Sequence, residues 1–356
     1  LTTCEYTAHI YGRYQSEMIN GIWSRDARGL AASTVNVRVQ IACDFLTWLA
    51  YKGHREPFEQ PVRILNIRKG SATNAIAHRG EKVAVREGKV RKNKRYLRLP
   101  TDNEIGSWLS AVYERNGETK GLMCETILLT AMRRNEVASL RIDFISENPK
   151  EWHRNNSDAP PKEQSVRVSI KYGTKGTTYG RDNGDKIGPQ REIWMPLDLA
   201  ERLHEYRMSL RNRSLKKLIS AASSVAEKRR RISESVHLFL DEKIGNKLSA
   251  KNLYDAWTTV DLPFKGWSPH LGRDWWACSV LWREIKRHEL LRSLGNAASA
   301  ALLESTAMSI IRLQIQPQLG HAHDSTSMIY LQWVADMLGV ALSIKYEQDL
   351  TEEELI

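Results

Sequence analysis

Tyr330 stands nine residues after His321 in the stretch LGHAHDSTSMIY, residues 319–330. A tyrosine phenol is a weak nucleophile at its free pKa of about 10. Cations placed around it lower that value and let it form covalent esters. Three other stretches hold side chains that could supply such cations. TAMRRNEVASLR (130–141) carries Arg133, with Glu136 three residues on. GTKG (173–176) carries Lys175, and SPHLGRDWW (268–276) carries His270 and Arg273. Guanidinium groups are planar forks suited to phosphate oxygens. Imidazoles donate hydrogen bonds and move protons near neutral pH. A phosphodiester repels nucleophiles through its negative oxygens, so cleaving it without a metal needs fixed positive donors around them. Taken singly, each stretch has a plainer explanation: a surface ion pair, a solvated turn lysine, a chance HxxR, a tyrosine filling a core.

The order of the stretches is more informative than any one of them. Arginine, hairpin lysine, HxxR, Gly-His and tyrosine follow one another as in the active-site series of the tyrosine recombinase (phage integrase) family. TAMRRNEV resembles that family's T-G-L-R-x-x-E-L box and points to Arg133 and Glu136. SPHLGRDWWACSVL resembles its H-x-L-R-R-T-F-A box and points to His270 and Arg273. LGHAHDSTSMIY resembles its L-G-H-x-x-x-x-T-x-x-Y box and points to His321 and Tyr330. VSIKYGTKG followed by REIWMPL is similar to its strand, lysine turn, strand and Pro-Leu segment, which points to Lys175, with Lys171 as the competing lysine. There are departures. Ala131 replaces a glycine, Gly272 replaces a leucine, and Asp274 and Trp275 stand where a basic residue and a threonine are common.

The resemblance implies a site-specific DNA recombinase or integrase. It would cleave and rejoin double-stranded recombination sites through a 3′-phosphotyrosine, with no metal, cofactor or ATP. Arg133 and Arg273 would grip the phosphate, His270 and His321 would add donors, and Lys175 would protonate the departing oxygen. Glu136 would orient an arginine or a histidine. The partners implied are a homotetramer on two DNA sites, with room for accessory DNA-bending proteins. Two other readings share these residues: a type IB-like topoisomerase, and a relative that binds DNA without cutting it.

The elements that must position these side chains are expected to be mainly helical. The fold class implied is mainly α with a small antiparallel sheet: a helical core-binding domain followed by an α+β catalytic domain. Residues 1–97 read as the helical domain. In ASTVNVRVQIACDFLTWLAYKG, Val35, Val39, Ala42, Leu46 and Leu49 stack on one face, with a cap expected at Ser33 or Thr34 and a stop at Gly53. Arg38 falls off that stripe and could reach DNA. Residues of about 63–98 read as a basic linker, in which Arg91, Lys92, Lys94 and Arg95 could follow a phosphate backbone. Residues 98–356 read as the catalytic domain, opening on a capping box at Thr101 and Glu104 and ending in the Tyr330 helix and an acidic tail. SVRVSI and REIWMPL alternate as paired strands, and Asp198 is expected to cap the next helix. The segments 141–164 and 203–231 read as insertions.

Bulk composition agrees. The formal net charge of +11 favours a polyanionic partner. With 41% hydrophobic and 27% charged residues, wholesale disorder is not expected. Cys4, Cys43, Cys124 and Cys278 show no zinc-like spacing, which suggests a reducing cytoplasm and, for this class, action at the nucleoid. No apolar run reaches the length of a membrane span.

Overall fold

The computed structural model describes residues 15–22, 28–57, 62–67, 81–91, 96–177, 185–287, 296–321 and 327–338. These residues fall into two compact units, divided between Arg95 and Tyr96. Helices dominate, and both sheets are small and antiparallel.

In the first unit, helix α1 (Ala32–Tyr51) buries Val35, Val39, Cys43 and Leu46, while Arg38 is exposed. Ala42 and Leu49, expected on the same stripe, are only half-buried. The helix begins one residue before the expected caps. Ala31 is its extended N-cap, and exposed Ser33 and Thr34 lie inside the first turn. Water can satisfy the first N–H groups there, so no hydroxyl is required. Met18, Leu30 and Val90 complete this small core. The Asn36 side chain pairs with the backbone of Val90 through two 2.9 Å hydrogen bonds, as a neighbouring strand would. The stretch expected to be linker is not all irregular: β1 (Val62–Ile67) and β2 (Glu81–Arg86) pair antiparallel within it. Their alternating apolar residues were outweighed in the sequence by the surrounding charge. Arg91 is exposed, and Lys92, Lys94 and Arg95 lie outside the described residues.

The second unit opens on α2 (Asp102–Asn116), capped reciprocally by Thr101 and Glu104. Helix α3 (Glu118–Thr130) buries Leu122, Met123, Cys124, Ile127 and Leu128 and forms the centre of the core. A helix apolar nearly all round belongs in the interior. The short α4 (Arg134–Ala138) follows. The sheet is β3 (Arg154–Asn155), β4 (Ser165–Thr177) and β5 (Ile187–Pro196), in that order. Val166, Val168 and Ile170 of β4 and Ile193 and Met195 of β5 point into the core. Lys175 therefore lies on a strand rather than in a turn, because β4 runs beyond the alternating apolar segment; its side chain is outside the described ones.

Three helices follow: α5 (Leu197–Met208), α6 (Leu210–Ser220) and α7 (Val225–Glu234). Asp198 is not the cap of α5. Pro196 occupies the N-cap, and the first free N–H, on Leu197, donates to Gln164 O at 3.0 Å. Asp198 sits in the first turn, where its charge still suits the helix dipole. Part of the basic stretch is internal: Arg207 and Arg211 are buried and donate to backbone carbonyls of Ile142, Ile145 and His237. The remaining helices are α8 (Ala250–Thr258), α9 (Pro269–Arg287) and α10 (Asn296–Ile310). A π turn (Ile311–Ile315) leads from α10 into α11 (Gln316–Leu319), and α12 (Met328–Leu338) closes the described chain.

Gly272 lets α9 approach the core, since a Cβ there would lie 2.7 Å from the Trp257 ring. The indole occupies the space that a leucine at this position would take. Among the described residues, no helix is long and apolar enough to cross a membrane.

Candidate active site

Helix α3 ends at Ala131, which adopts the left-handed conformation (φ 54°, ψ 26°) and is fully buried. This conformation favours glycine, and alanine accepts it at a cost of about 1 kcal/mol. The reversal brings Arg133 to the N-cap of α4. Glu136, three residues on, is completely buried. Its carboxylate accepts from the Arg133 N–H at 2.7 Å and from Arg133 Nη1 at 2.8 Å.

A third arginine, not anticipated from the sequence, lies on the other side of that carboxylate. Arg191 pairs with Ile170 across the β4–β5 ladder and continues the inward row of Ile193 and Met195. Its guanidinium forms a fork on Glu136, with Nη2 at 2.7 Å from Oε2 and Nη1 on Oε1. Burial alone would raise the Glu136 pKa. The hydrogen bonds and charge of Arg191, then those of Arg133, outweigh it and hold the carboxyl below its usual value.

The end of α11 binds the arginines together. Arg191 Nε donates to Gln318 O at 3.2 Å, Arg273 Nη2 to Leu319 O at 2.9 Å, and Arg133 Nη2 to Gly320 O at 3.3 Å. Three successive carbonyls at a helix C-terminus thus each receive a different guanidinium. Such carbonyls lack partners within the helix and carry the negative end of its dipole. They let three cations gather with only one carboxylate between them. Two local features aim these carbonyls. Pro317 has no N–H and its ring crowds the carbonyl four residues back, which fits the π turn just before it. Gly320 then ends the helix in the left-handed conformation at φ 65°. Gln318, also missed, staples the end of α11 in place: its amide bonds Thr130 O at 2.9 Å, Trp194 O at 2.8 Å and Trp194 N at 2.9 Å. Gln318 falls in no quoted motif, and Arg191 opens the quoted REIWMPL without having been singled out there. The one available signal for Arg191 was its inward phase in β5.

Arg273 is 3% exposed, and its Nη1 is buried without a hydrogen-bond partner. Burial, then the nearby charge of Arg133, pushes its pKa down to about 10, although Glu136 opposes the shift. The group stays cationic at neutral pH, with that one nitrogen unpaired. His270 is exposed one helical turn before it in α9.

Tyr330, in the first turn of α12, is 2% exposed. Its hydroxyl donates to Asp274 Oδ1 at 2.9 Å. Its ring stacks on His321 at 6.3 Å between centroids and 13° between planes. His321 Nδ1 lies 3.0 Å from Ser327 Oγ. The expected lowering of the phenol pKa is reversed here. Burial raises it, the Asp274 carboxylate raises it further, and Arg273 only partly offsets them. Burial is the largest cause, and Asp274, an anion in hydrogen-bond contact with the phenol, adds to it.

The structure thus joins Arg133, Glu136 and Arg273 in one cluster and pairs His321 with Tyr330 next to it. His323 and residues 339–356 of the acidic tail lie outside the described residues. Among the described residues, no group of three or more His, Cys, Asp or Glu side chains is placed to hold a metal ion.

The chain is similar to solved site-specific recombinases and integrases. One is the XerH site-specific recombinase bound to palindromic difH substrate in a post-cleavage complex: 18% identity, TM-score 0.40, covering 71% of this chain and 55% of that one. The match therefore spans little over half of that XerH chain. Another is the Tn1549 transposon integrase in complex with a circular intermediate DNA: 13% identity, TM-score 0.48, covering 92% of this chain and 82% of that one. A third is a lambda integrase dimer bound to a COC′ core site: 11% identity, TM-score 0.43, covering 89% and 77%. No protein-family profile and no curated protein sequence matches the chain.

Proposed function

We propose that this protein is a site-specific DNA recombinase that cleaves and rejoins double-stranded DNA through Tyr330. The observation that carries the reading is the arginine cluster. Three guanidiniums share one helix end, two of them also share one buried carboxylate, and Arg273 Nη1 is buried without a hydrogen-bond partner. Buried cations with an unused donor are built for an anion of fixed position, and a DNA phosphodiester meets that need.

In this reading the phosphate oxygens sit on Arg133 and Arg273, with His270 and His321 as further donors. The Tyr330 oxygen forms a bond to phosphorus as the bond to the 5′ oxygen breaks. The phenol proton passes to solvent, and Lys175 supplies a proton to the 5′ oxygen. The covalent 3′-phosphotyrosine keeps the energy of the broken bond, so a 5′ hydroxyl of a second duplex can reverse the step without ATP. Exchange between two sites by a homotetramer, assisted by DNA-bending proteins, extends this reading. So does DNA contact by Arg38, Arg91, Lys92, Lys94 and Arg95.

A nicked duplex taken from DNA flanking the encoding gene tests it. The 5′ hydroxyl diffuses away after cleavage, and the protein remains attached in denaturing gels. Tyr330→Phe should abolish the adduct and leave binding intact. Arg133→Ala and Arg273→Ala should each slow adduct formation by about 10²-fold or more, as expected for losing a donor to transition-state charge. Binding without any adduct would favour a relative that does not cut. Relaxation of supercoiled plasmid lacking paired sites would favour a topoisomerase.

A further inference from the structure

Asp274 follows Arg273 in α9, so one helical turn carries both the buried, unpaired Arg273 nitrogen and the acceptor of the Tyr330 hydroxyl hydrogen bond. Tyr330 and Asp274 are 2% and 4% exposed, so water does not screen their contact. Arg273, Cys278 and the His321 ring also face the phenol. The carboxylate accepts the hydroxyl's hydrogen bond, and its charge adds to burial in disfavouring the phenolate. A basic residue at this position could not accept the phenol's proton and would favour the phenolate; an aspartate does the opposite on both counts.

We propose that Asp274 is a positioning residue for the nucleophile: its carboxylate holds the Tyr330 hydroxyl, still carrying its proton, until a DNA phosphate occupies the arginine cluster. This rests on the recombinase reading, and it adds a restraint against cutting when no site is bound. Burial and the Asp274 charge both oppose the phenolate in the structure, in line with such a restraint.

Nitration by tetranitromethane, which attacks phenolates, reads the restraint without DNA. Peptide mass mapping follows each tyrosine in the intact chain. Tyr51, 83% exposed, is the reference, and Tyr206, 3% exposed in the core, reports loosening of the fold. Asp274→Asn should speed nitration of Tyr330 relative to Tyr51 by about tenfold for each unit its pKa falls, with Tyr206 still protected. On the nicked flanking duplex, the same variant should form adduct faster than wild type, with its pH–rate profile moved to lower pH. If Tyr206 also becomes reactive, Asp274→Ser is measured in its place.

An unchanged adduct rate and pH–rate profile, with DNA binding retained, would overturn the proposal. So would loss of the adduct with DNA binding retained, which would make Asp274 the acceptor that drives attack. Faster nitration in a protein whose wild type binds the duplex but forms no adduct would uphold the contact and remove the recombinase reading.

Discussion

At the scale of single residues, Arg191 is the sharpest addition to the site. It touches Glu136 with two nitrogens and Gln318 O with the third, so three of its five N–H groups are used within the protein. It therefore acts through Glu136 on Arg133. Arg191→Ala would leave Glu136 buried beside one cation in place of two. Adduct formation should fall by about 10²-fold, comparable to losing a direct donor, with binding of the duplex much less affected. Arg191→Lys should recover little, because an ammonium cannot form the fork. A lysine variant with full activity would show that only charge matters there. The proton donor to the 5′ oxygen is separable in the same assay. A duplex with a 5′ sulfur at the scissile bond needs little help for its leaving group. It should rescue Lys175→Ala and not Lys171→Ala; the reverse result would move the role to Lys171.

At the scale of elements, the end of α11 has to present three carbonyls in three directions. Gly320 permits this: at φ 65°, an added Cβ would also lie 3.0 Å from Arg191 Cδ. Gly320→Ala should destabilise the protein by more than about 1 kcal/mol in urea unfolding and slow cleavage by displacing Arg191. Gly266→Ala is the control. Its φ of 100° gives similar backbone strain with nothing within 4 Å of the added carbon, so stability should drop and cleavage should not. Equal cleavage by both variants would separate the helix end from the chemistry. The same comparison explains what the sequence could reveal. Arg133, Glu136, Arg273, His321 and Tyr330 sit in short motifs whose spacing reflects local turns, and paired strands and the Thr101 capping box have local signatures too. Arg191, Gln318 and the three-carbonyl cradle depend on β5, α3 and α11 meeting across more than a hundred residues, and no local pattern encodes that. The β1–β2 pair was hidden for another reason, because its strands lie in a basic stretch whose charge masks their alternation.

At the scale of the whole molecule, the charge of +11 should make the proposed DNA binding salt-dependent. The logarithm of affinity should fall linearly with that of salt concentration, and Arg38→Ala or Arg91→Ala should each reduce the slope by about one if those side chains meet phosphates. Stability against acid has a different source. Asp185, where the chain returns from the lysine hairpin, is 4% exposed and ties three segments together. It accepts from Ser139 Oγ at 2.8 Å and Lys247 Nζ at 2.5 Å, lies 2.8 Å from His237 Nε2, and meets Arg141 Nη2 at 3.4 Å. Burial works against its ionisation, but the His237 and Lys247 hydrogen bonds prevail and hold its pKa well below the carboxylate range. A depressed folded pKa means the ionised group favours the folded state. That contribution is complete above the unfolded pKa of about 3.9 and disappears as pH falls through the folded value. Asp185→Asn removes the charge at every pH and leaves the half-buried Lys247 and Arg141 without their counter-charge, at a cost of about 1–2 kcal/mol near pH 7. Urea unfolding of both proteins at pH 7, 5 and 3 should show a constant gap from 7 to 5 that narrows toward 3, where the wild type begins to lose the same interactions. A gap that stays constant to pH 3 would mean Asp185 holds the hairpin base by shape and hydrogen bonds, with its charge contributing nothing.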